Sequence, residues 1–600
     1  MTRSRRERDL LAWCDEEQVE AITTLARPLC VLAGAGSGKT RVLTRRMAWR
    51  VLQGSATADH ILALTFTRKA AGELRERLAD LGLPQPVVAG TFHAVALSEL
   101  KRRAAERSMR PPVVLSSKIR LLYHVLGDRG RLVPTPKAVA ELASEIEWAK
   151  AGCVTASGYE QAAARSRRTS SWRSSEVAET WQRYELEKRR RGVLDFEDLL
   201  QRCEAELRAD AEFAGSARWR YRHVFVDEFQ DVNEAQLRLL KAWLGQNDDL
   251  CVVGDPQQAI YSWNGADPDV IANFAAHFRG ATVMSLRTNY RSTREVLGVA
   301  AAVLGIIEPA PAGGSVPEGK VPTVTAYRSD VDEATSVAGA ARLAKRPGRA
   351  WSRIAVLART NGQLGLLEEA LSAAGIPTRV ARARWQPGSP LAKSALDEAV
   401  AAPNAAALAR WAADLDGAPA DSVAGEGLIR LELVELARAA IEYIGEDVSP
   451  TGVGFRNWLE TTVPFEADAG HRADAVELAT FHRAKGLEWE VVFVTGLEDG
   501  LVPISHAREP AAIAEERRLL YVACTRAAEE LHCSWASERT FSSGRPSPRS
   551  PSPWLAAIEG AGLELRRVSR ASSGAARQAL AESRRLLGVA VPAADEAPPG

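Results

Sequence analysis

A glycine-rich stretch ending in Lys39 and Thr40 fits the pattern Gly-x-x-x-x-Gly-Lys-Thr, beginning at Gly34. The preceding run, residues 29–32, predicts a short buried strand, and residues 41–50 predict a helix; this is the strand–loop–helix setting that the motif requires. Glycines let backbone N–H groups crowd around phosphate oxygens, and the helix N-terminus adds positive charge. We therefore predict a nucleoside triphosphate site, with Lys39 on the outer phosphates and Thr40 on Mg²⁺.

A second apolar run, residues 223–226, ends in the two carboxylates Asp227 and Glu228. An Asp at the end of such a strand can hold Mg²⁺, and the neighbouring Glu can deprotonate an attacking water. A further strand-like run, residues 250–254, leads to Gln258, which could contact the γ-phosphate. Together with the phosphate loop, these residues predict nucleotide hydrolysis.

Length and composition limit the class of protein. The chain has 600 residues, enough for several domains, and a net charge of only +1, so binding of nucleic acid would need local basic patches. Its seven cysteines form no Cys-x-x-Cys pair, and we expect neither disulfides nor a zinc site. The N-terminus lacks an apolar signal region and no apolar run has the length of a membrane span, so we expect a cytoplasmic protein without a membrane partner.

Two more strand-like runs, residues 61–65 and 87–90, lead into hydroxyl and aromatic residues. Such side chains suit phosphate contact and base stacking. Strands alternating with helices predict an α/β fold with a parallel sheet. A second α/β core is predicted to start near Val283. Its candidate strands are residues 283–286, 354–358, 491–495 and 531–535.

The second predicted core has no phosphate loop, but it carries two arginines in suggestive places. Arg291 follows Asn289 and Tyr290, and Arg526 follows Thr525. An arginine from a neighbouring domain can stabilise charge on a phosphoryl group in transfer.

Nine motifs stand in order along the chain. They are Gln18, AGAGSGKT from Ala33, LTFTRKAAGEL from Leu64, AGTFHA from Ala89, VDEFQD from Val226, VVGDPQQAIYSW from Val252, LRTNYRS from Leu286, TFHRAKGLEW from Thr480 and EERRLLYVACTRA from Glu515. The series resembles the UvrD/Rep/PcrA group of superfamily 1 DNA helicases over residues 11–540. Residues 145–150, 486–489, 503–507 and 534–536 are similar to the shorter of the two UvrD-type helicases of actinobacteria.

This resemblance implies two RecA-like motor cores, each interrupted by a helical insertion. The implied first core comprises residues 1–97 and 189–282, with an insertion at 98–188. The implied second core comprises residues 283–388 and 473–541, with a reduced insertion at 389–472. Residues 542–600 are predicted to be a flexible linker and tail.

The resemblance also assigns roles by position, with ATP and Mg²⁺ as cofactors. The implied adenine and ribose contacts are Gln18, Arg41, Tyr290 and Glu488. The implied phosphate loop is Gly34, Ala35, Gly36, Ser37, Gly38, Lys39 and Thr40. The implied metal ligands are Thr40 and Asp227. The implied hydrolytic residues are Lys39, Asp227, Glu228, Gln258, Arg291 and Arg526. The implied DNA contacts are Thr65, Phe66, Thr91, His93, Trp263, His482 and Lys485.

The implied activity is ATP-dependent movement 3′ to 5′ along single-stranded DNA, with unwinding of duplex. Hydrolysis would depend on closure of the two cores, because Arg291 and Arg526 arrive only when the cores close. The implied partners are single-stranded and partial-duplex DNA and a repair protein. Family likeness places the activity in DNA repair or recombination.

Three departures from the family pattern keep an alternative open. Asn264 stands where related helicases carry Arg, the insertion at 389–472 is small, and the tail lacks the relatives' four-cysteine module and C-terminal helical domain. The alternative is a translocase that displaces proteins and needs a partner to unwind. A non-enzymatic scaffold and an unrelated phosphoryl-transfer enzyme remain further alternatives, against which Lys39, Glu228 and the paired arginines argue.

Replacement of Lys39 by alanine removes the cation expected at the outer phosphates. We expect ATP turnover to fall at least a hundredfold, on the order of the loss seen when one charged stabiliser of a transition state is removed. The measurement is steady-state ATP hydrolysis. Lys137→Ala, outside every motif, is the control, and unchanged turnover in Lys39→Ala would exclude the phosphate-loop assignment.

Overall fold

The structure is a computed structural model of the chain. It describes residues 3–83, 87–115, 118–127, 135–306, 310–313, 318–380, 390–416, 450–462, 474–540 and 545–560, with residue 316 and several positions between 433 and 444. The chain divides into two compact units. The first comprises residues 1–291 and 381–473, and the second comprises residues 292–380 and 474–600.

The strands are short and most of them are apolar, as the apolar runs in the sequence predicted. They are β1 Leu29–Ala33, β2 Ile61–Thr65, β3 Val88–Thr91, β4 Val113–Val114, β5 Val193–Leu194, β6 His223–Val226, β7 Leu250–Gly254, β8 Thr282–Leu286, β9 Thr323–Tyr327, β10 Ile354–Ala358, β11 Thr378–Val380, β12 Val476–Thr480, β13 Trp489–Val494, β14 Ala527–Ala536, β15 Glu538–Thr540 and β16 Pro546–Pro548.

Each unit is built on one parallel six-stranded sheet. The first sheet has the order β3-β2-β6-β7-β1-β8 and the second has the order β11-β12-β10-β13-β14-β9. All neighbouring strands within these two sheets run parallel. Parallel strands need crossover connections, and helices provide them. The predicted α/β class with two parallel-sheet cores is therefore confirmed.

The assignment of residues 283–286 to the second core is wrong. Strand β8 pairs in parallel with β1, from Leu29 opposite Thr282 to Ala33 opposite Leu286, and forms an edge of the first sheet. An apolar run shows that a strand exists but not which sheet it joins. The first unit therefore continues to Arg291.

Helices pack around both sheets and form the insertions. The α-helices are Arg3–Leu11, Glu16–Thr23, Lys39–Leu52, Arg68–Asp80, Phe92–Glu106, Lys118–Gly127, Pro136–Ala151, Tyr159–Arg165, Ser174–Arg191, Phe196–Ala209, Ala211–Arg220, Glu234–Leu244, Pro268–Ala272, Phe274–His277, Arg294–Leu304, Asp330–Ala344, Asn361–Ala373, Pro390–Val400, Ala405–Asp416, Gly452–Thr462, Pro510–Cys524 and Leu555–Gly560. None of the helices in the described ranges is long and apolar enough to cross a membrane.

Both predicted insertions are mainly helical where the structure describes them, and the first also contains the two-residue strand β4. The first has its own core, with buried side chains that include Leu122, Ile146 and Trp181. In the second, helices Pro390–Val400 and Gly452–Thr462 contribute to a small apolar cluster. Much of the predicted 389–472 segment lies outside the described residues.

A cluster of buried charges joins the first insertion to the first sheet's helical layer. Asp195, just ahead of helix Phe196–Ala209, accepts hydrogen bonds from Lys150 at 2.6 Å and from Lys188 at 2.8 Å. Burial alone would raise the pKa of Asp195, but the charges of Lys150, Lys118 and Lys188 outweigh it and hold that pKa well below its usual range. Asp195, Glu185 and Asp198 form the one carboxylate trio of metal-site dimensions in the described residues, and lysine ammonium groups are bonded to it.

The predicted start of a flexible tail at residue 542 is wrong for its described part. Strand β16 pairs antiparallel with β15, and Ser552 N donates to Leu497 O at 2.9 Å. Trp554, Leu555 and Ile558 are buried. Proline and serine content indicated a linker, but the apolar residues after it pack on the second unit. Residues 561–600 of the predicted tail lie outside the described residues.

Replacement of Asp195 by alanine removes the most buried of the three carboxylates that Lys150 and Lys188 share, and leaves Asp198 and Glu185 to pair with both ammonium groups. We expect the first unit to lose about 1.5–3 kcal/mol of stability at pH 7, the contribution of a hydrogen bond to a charged group. Because the pKa of Asp195 is lowered by folding, its contribution is present above the pKa of an unfolded carboxyl and is lost as the pH falls.

Urea unfolding followed by tryptophan fluorescence measures this loss, since Trp148 and Trp181 lie in the insertion. Asp80→Ala, at an exposed helix end, is the matched control and should change stability by less than about 0.5 kcal/mol. An equal, small effect of both substitutions would show that the buried cluster does not stabilise the joint.

Candidate nucleotide and nucleic-acid site

The phosphate loop connects β1 to helix Lys39–Leu52. Gly38 is the residue before the helix and has a φ of 83°, which a side chain would strain. A Cβ on Gly36 would lie 2.6 Å from Asn289 Nδ2 and 2.7 Å from Arg291 Cβ, whereas one on Gly34 would meet nothing within 4 Å. The predicted loop is therefore present, with open space at Gly34 and a tight contact at Gly36.

Three residues predicted to hold adenine are close together at this loop. Gln18 Nε2 donates to Ser37 O at 2.9 Å, and its Oε1 accepts from Arg41 Nη2 at 2.7 Å. Tyr290 N donates to Gly36 O at 2.8 Å, and the Tyr290 hydroxyl donates to the Asp15 carboxylate. Burial and this bond raise the pKa of Tyr290 to about 12, so the phenol keeps its proton. Both ends of the Gln18 amide are engaged by protein groups here, and its contact with adenine stays a prediction.

The prediction that Arg291 belongs to the second core is wrong. Strand β8 places the segment from Asn289 to Arg291 against the phosphate loop, where Asn289 Nδ2 donates to Ala35 O. Arg291 N donates to Asn289 Oδ1 at 2.8 Å, which fixes the turn. Arg291 therefore belongs to the same unit as Lys39 and needs no domain movement to reach the loop.

The two predicted metal ligands lie side by side. Thr40 Oγ1 donates to Asp227 Oδ2 at 2.9 Å. Burial and the neighbouring Glu228 carboxylate raise the pKa of Asp227 to about 6, while the charge of Lys39 opposes this rise. A hydroxyl and a buried carboxylate at hydrogen-bond distance are the oxygen donors that Mg²⁺ prefers, so the residues fit this ion.

Glu228 adopts a backbone conformation that is uncommon for a residue with a side chain, with a φ of 52°. Its N–H donates to Asp227 Oδ1 at 2.9 Å, and its carbonyl accepts from Asp231 N at 3.0 Å. Such strain persists only where surrounding bonds enforce it, and it concentrates at functional sites. Gln258, the predicted γ-phosphate sensor, follows β7 and donates to Asp255 Oδ2 at 2.7 Å.

In the second unit, Arg526 and Glu488 lie at the start of neighbouring strands. Arg526 O accepts from Trp489 N at 3.0 Å, and Arg526 Nη1 donates to Leu487 O at 3.1 Å. The residues before and after Glu488 are therefore both hydrogen-bonded to Arg526. The Arg526 guanidinium also donates to Val522 O at 3.0 Å. The structure thus brings these two predicted residues together, with the guanidinium bonded within its own unit.

The predicted DNA contacts of the first unit follow β2 and β3, which end side by side. Thr65 lies opposite Thr91 in the parallel register. Thr65 is buried, and the Thr91 hydroxyl accepts from Ala94 N at 3.2 Å as a helix cap. Phe66 packs against Phe92 with ring centroids 5.9 Å apart. The buried Thr65 hydroxyl cannot make a surface contact, and the exposed hydroxyl of this loop is that of Thr67.

The remaining predicted DNA contacts have rings or charges at half-exposed positions. His93 stacks on Phe196 with centroids 4.0 Å apart, and burial with the charge of Lys118 lowers the pKa of His93 to about 3. Trp263 is 50% exposed, and an exposed indole ring is suited to stacking on a base. In the second unit, His482 and Lys485 occupy the turn after β12, where burial and the charge of Arg359 lower the pKa of His482 to about 4. Both histidines are therefore neutral at pH 7.

Two family models match most of the chain. The UvrD/REP helicase N-terminal domain matches residues 14–279, and the UvrD-like helicase C-terminal domain matches residues 284–384 and 430–538. The chain belongs to the UvrD-like helicase family. The resemblance predicted from the motif series is thereby confirmed.

Named relatives match over nearly the whole chain. The ATP-dependent DNA helicase UvrD2 of Mycobacterium tuberculosis (strain ATCC 25618 / H37Rv) is 37% identical over 587 residues, which covers 92% of this chain and 82% of the relative. UvrD1 of the same strain is 31% identical over 684 residues, covering 93% and 87%. The ATP-dependent DNA helicase PcrA of Bacillus subtilis (strain 168) is 28% identical over 646 residues, covering 92% and 86%.

Sequence reasoning assigned no role to three residues that the structure places at the candidate site. Asp15 caps the helix that carries Gln18 and also bonds Tyr290, and Asn289 ties its own segment to the phosphate loop. Gln230 bonds to Glu228. Asn289 and Gln230 lie inside motifs that the sequence singled out, but their bonds join segments far apart in the chain, which spacing alone does not reveal.

Substitution of Glu228 by glutamine keeps the side-chain shape and removes the carboxylate that could accept a proton. We expect ATP binding within about threefold of the wild type and turnover reduced on the order of a hundredfold or more. Fluorescent-nucleotide titration and steady-state hydrolysis measure the two quantities. Glu234→Gln, at a half-buried position on the following helix, is the control. Retained turnover in Glu228→Gln would exclude Glu228 as the base.

Proposed function

We propose that this protein is an ATP-dependent DNA helicase that moves 3′ to 5′ along single-stranded DNA. The observation that carries the proposal is the joining of Lys39, Thr40, Asp227 and Glu228 at one end of a parallel sheet whose next strands end in the candidate DNA loops. The curated relatives are named as ATP-dependent DNA helicases. DNA repair or recombination is the proposed setting.

The proposed chemistry is hydrolysis of the γ-phosphate bond. The backbone N–H groups of residues 34–40 and the Lys39 ammonium bind the phosphates. Thr40 and Asp227 would hold Mg²⁺, which would supply positive charge against the phosphate oxygens. Glu228 accepts a proton from the attacking water, and ADP and inorganic phosphate leave. Gln258 contacts the γ-phosphate, and Arg291 supplies positive charge from the same unit.

Arg526 is the proposed rate-controlling group of the second unit. Its guanidinium donates to the carbonyl oxygens of Val522 and Leu487. In the proposed reaction it releases carbonyl oxygens and donates to phosphate oxygens instead. An Arg that arrives only in one conformational state makes hydrolysis depend on that state. Glu488, flanked by the Arg526 bonds, contacts the ribose in this proposal.

DNA binding is proposed at the strand ends beside the nucleotide. Helix Arg68–Asp80 begins three residues after the end of β2, helix Phe92–Glu106 begins directly after β3, and helix N-termini attract phosphate. Trp263 offers an exposed ring for stacking, and the neutral His93 and His482 contribute hydrogen bonds rather than charge. The salt dependence of binding should therefore come from Lys and Arg side chains.

A tailed-duplex experiment tests movement, polarity and the need for a partner. We expect single-stranded DNA to raise ATP turnover at least tenfold, and unwinding of a 3′-tailed duplex to exceed that of a 5′-tailed one at equal protein. The measurement is strand separation by a quenched fluorophore, with Glu228→Gln as the inactive control.

Each opposite result removes part of the proposal. Equal turnover with and without DNA excludes the motor. Preference for the 5′ tail reverses the polarity. DNA-stimulated turnover with unwinding only after addition of a cell extract supports the translocase that requires a partner.

A further inference from the structure

Gln230 is a buried residue whose amide joins two parts of the nucleotide site. Its Nε2 donates to Glu228 Oε2, and its Oε1 accepts from Asp255 N at 2.9 Å. The Asp255 N–H is a backbone group and can only donate. The amide oxygen must therefore face Asp255, and the amide NH₂ must face the Glu228 carboxylate.

The bonded path continues from Asp255 to the predicted γ-phosphate sensor. Asp255 caps the short helix Pro256–Gln258, with Oδ1 accepting from Gln257 N at 3.0 Å. Its Oδ2 accepts from Gln258 Nε2 at 2.7 Å. Gln258, Asp255, Gln230 and Glu228 thus form one continuous chain of hydrogen bonds between β7 and β6.

Close packing keeps this amide from rotating and holds it against its two hydrogen-bond partners, so that it moves only together with them. Gln230 is fully buried, and a Cβ on Gly254 would lie 2.5 Å from Gln230 Oε1 and 2.5 Å from Ile271 Cδ1. Real Cβ atoms do not approach so closely, so the amide occupies the space left by the absent side chain of Gly254. The backbone strain at Glu228, with its positive φ, places the carboxylate beside this fixed amide.

We infer that Gln230 is a positioning residue that couples the γ-phosphate sensor Gln258 to the general base Glu228. A displacement of Gln258 moves the Asp255 side chain and its backbone N–H, and the rigid Gln230 amide carries that displacement to the Glu228 carboxylate. The base is then aimed for proton transfer only when the sensor is in the position set by its ligand. This inference rests on the proposed hydrolytic function.

Gln230→Met tests the coupling, because methionine has nearly the same length but neither donates nor accepts these bonds. We expect the kcat of DNA-stimulated ATP hydrolysis to fall on the order of ten- to a hundredfold, since positioned acid–base catalysis contributes at least that much. The KM for ATP and the affinity for a fluorescent ATP analogue should stay within about threefold. Gln257→Met, at the exposed neighbouring position, is the matched control.

A double-mutant cycle with Gln258→Met separates coupling from a merely structural role. If Gln230 acts through this path, breaking it twice costs little more than breaking it once, and the double variant is within about threefold of the slower single variant. Two independent defects would multiply instead. Multiplying losses, or an unchanged kcat in Gln230→Met with retained nucleotide binding, overturn the inference.

A second variant keeps the test decisive if Gln230→Met fails to fold. Gln230→Glu retains an acceptor for the Asp255 N–H and removes the donor to Glu228, so the same loss of kcat with retained ATP affinity is expected. A Gln230→Glu variant with wild-type kcat overturns the inference. Absence of DNA-stimulated hydrolysis in the wild type counts instead against the proposed function.

Discussion

The parallel pairing of β1 between β7 and β8 is the constraint on which the nucleotide site depends. The phosphate loop follows β1, the segment with Asp255 and Gln258 follows β7, and the segment with Asn289 and Tyr290 follows β8. Carboxyl ends of parallel strands meet at one edge of a sheet, so groups more than two hundred residues apart in sequence become neighbours. Without the pairing of β8, the tight contact at Gly36 would have no partner and Tyr290 would not reach Asp15.

The first sheet was largely predictable because its buried strands are mostly apolar runs that lead into a motif. Residues 29–32, 61–65 and 223–226 needed no tertiary information, since burial on both faces leaves little alternation to misread. The strand at 282–286 shows the limit. Its composition is that of a strand in either core, and only the hydrogen-bonded ladder with β1 decides between them.

The residues and loops of the candidate site could be predicted from the sequence, but the hydrogen bonds between them could not. The roles predicted for Lys39, Thr40 and Asp227 rest on local spacing, and the geometry places Thr40 and Asp227 together. Long-range bonds set the rest: the Gln18 amide meets Ser37 and Arg41, and Thr65 turns inward. Such bonds depend on how loops from separate strands meet, which no single stretch of sequence contains.

Because Arg291 belongs to the first unit, nearly all residues expected at the nucleotide lie in that one unit. Among the residues expected at the nucleotide, only Glu488 and Arg526 belong to the second unit. In the function proposed above, damage confined to the second unit's fold removes Arg526 and Glu488 but leaves the phosphate loop and the first unit's candidate DNA loops in place. On that proposal such an allele would interfere with the intact protein, so we expect its genetic signature to be dominant interference rather than simple loss.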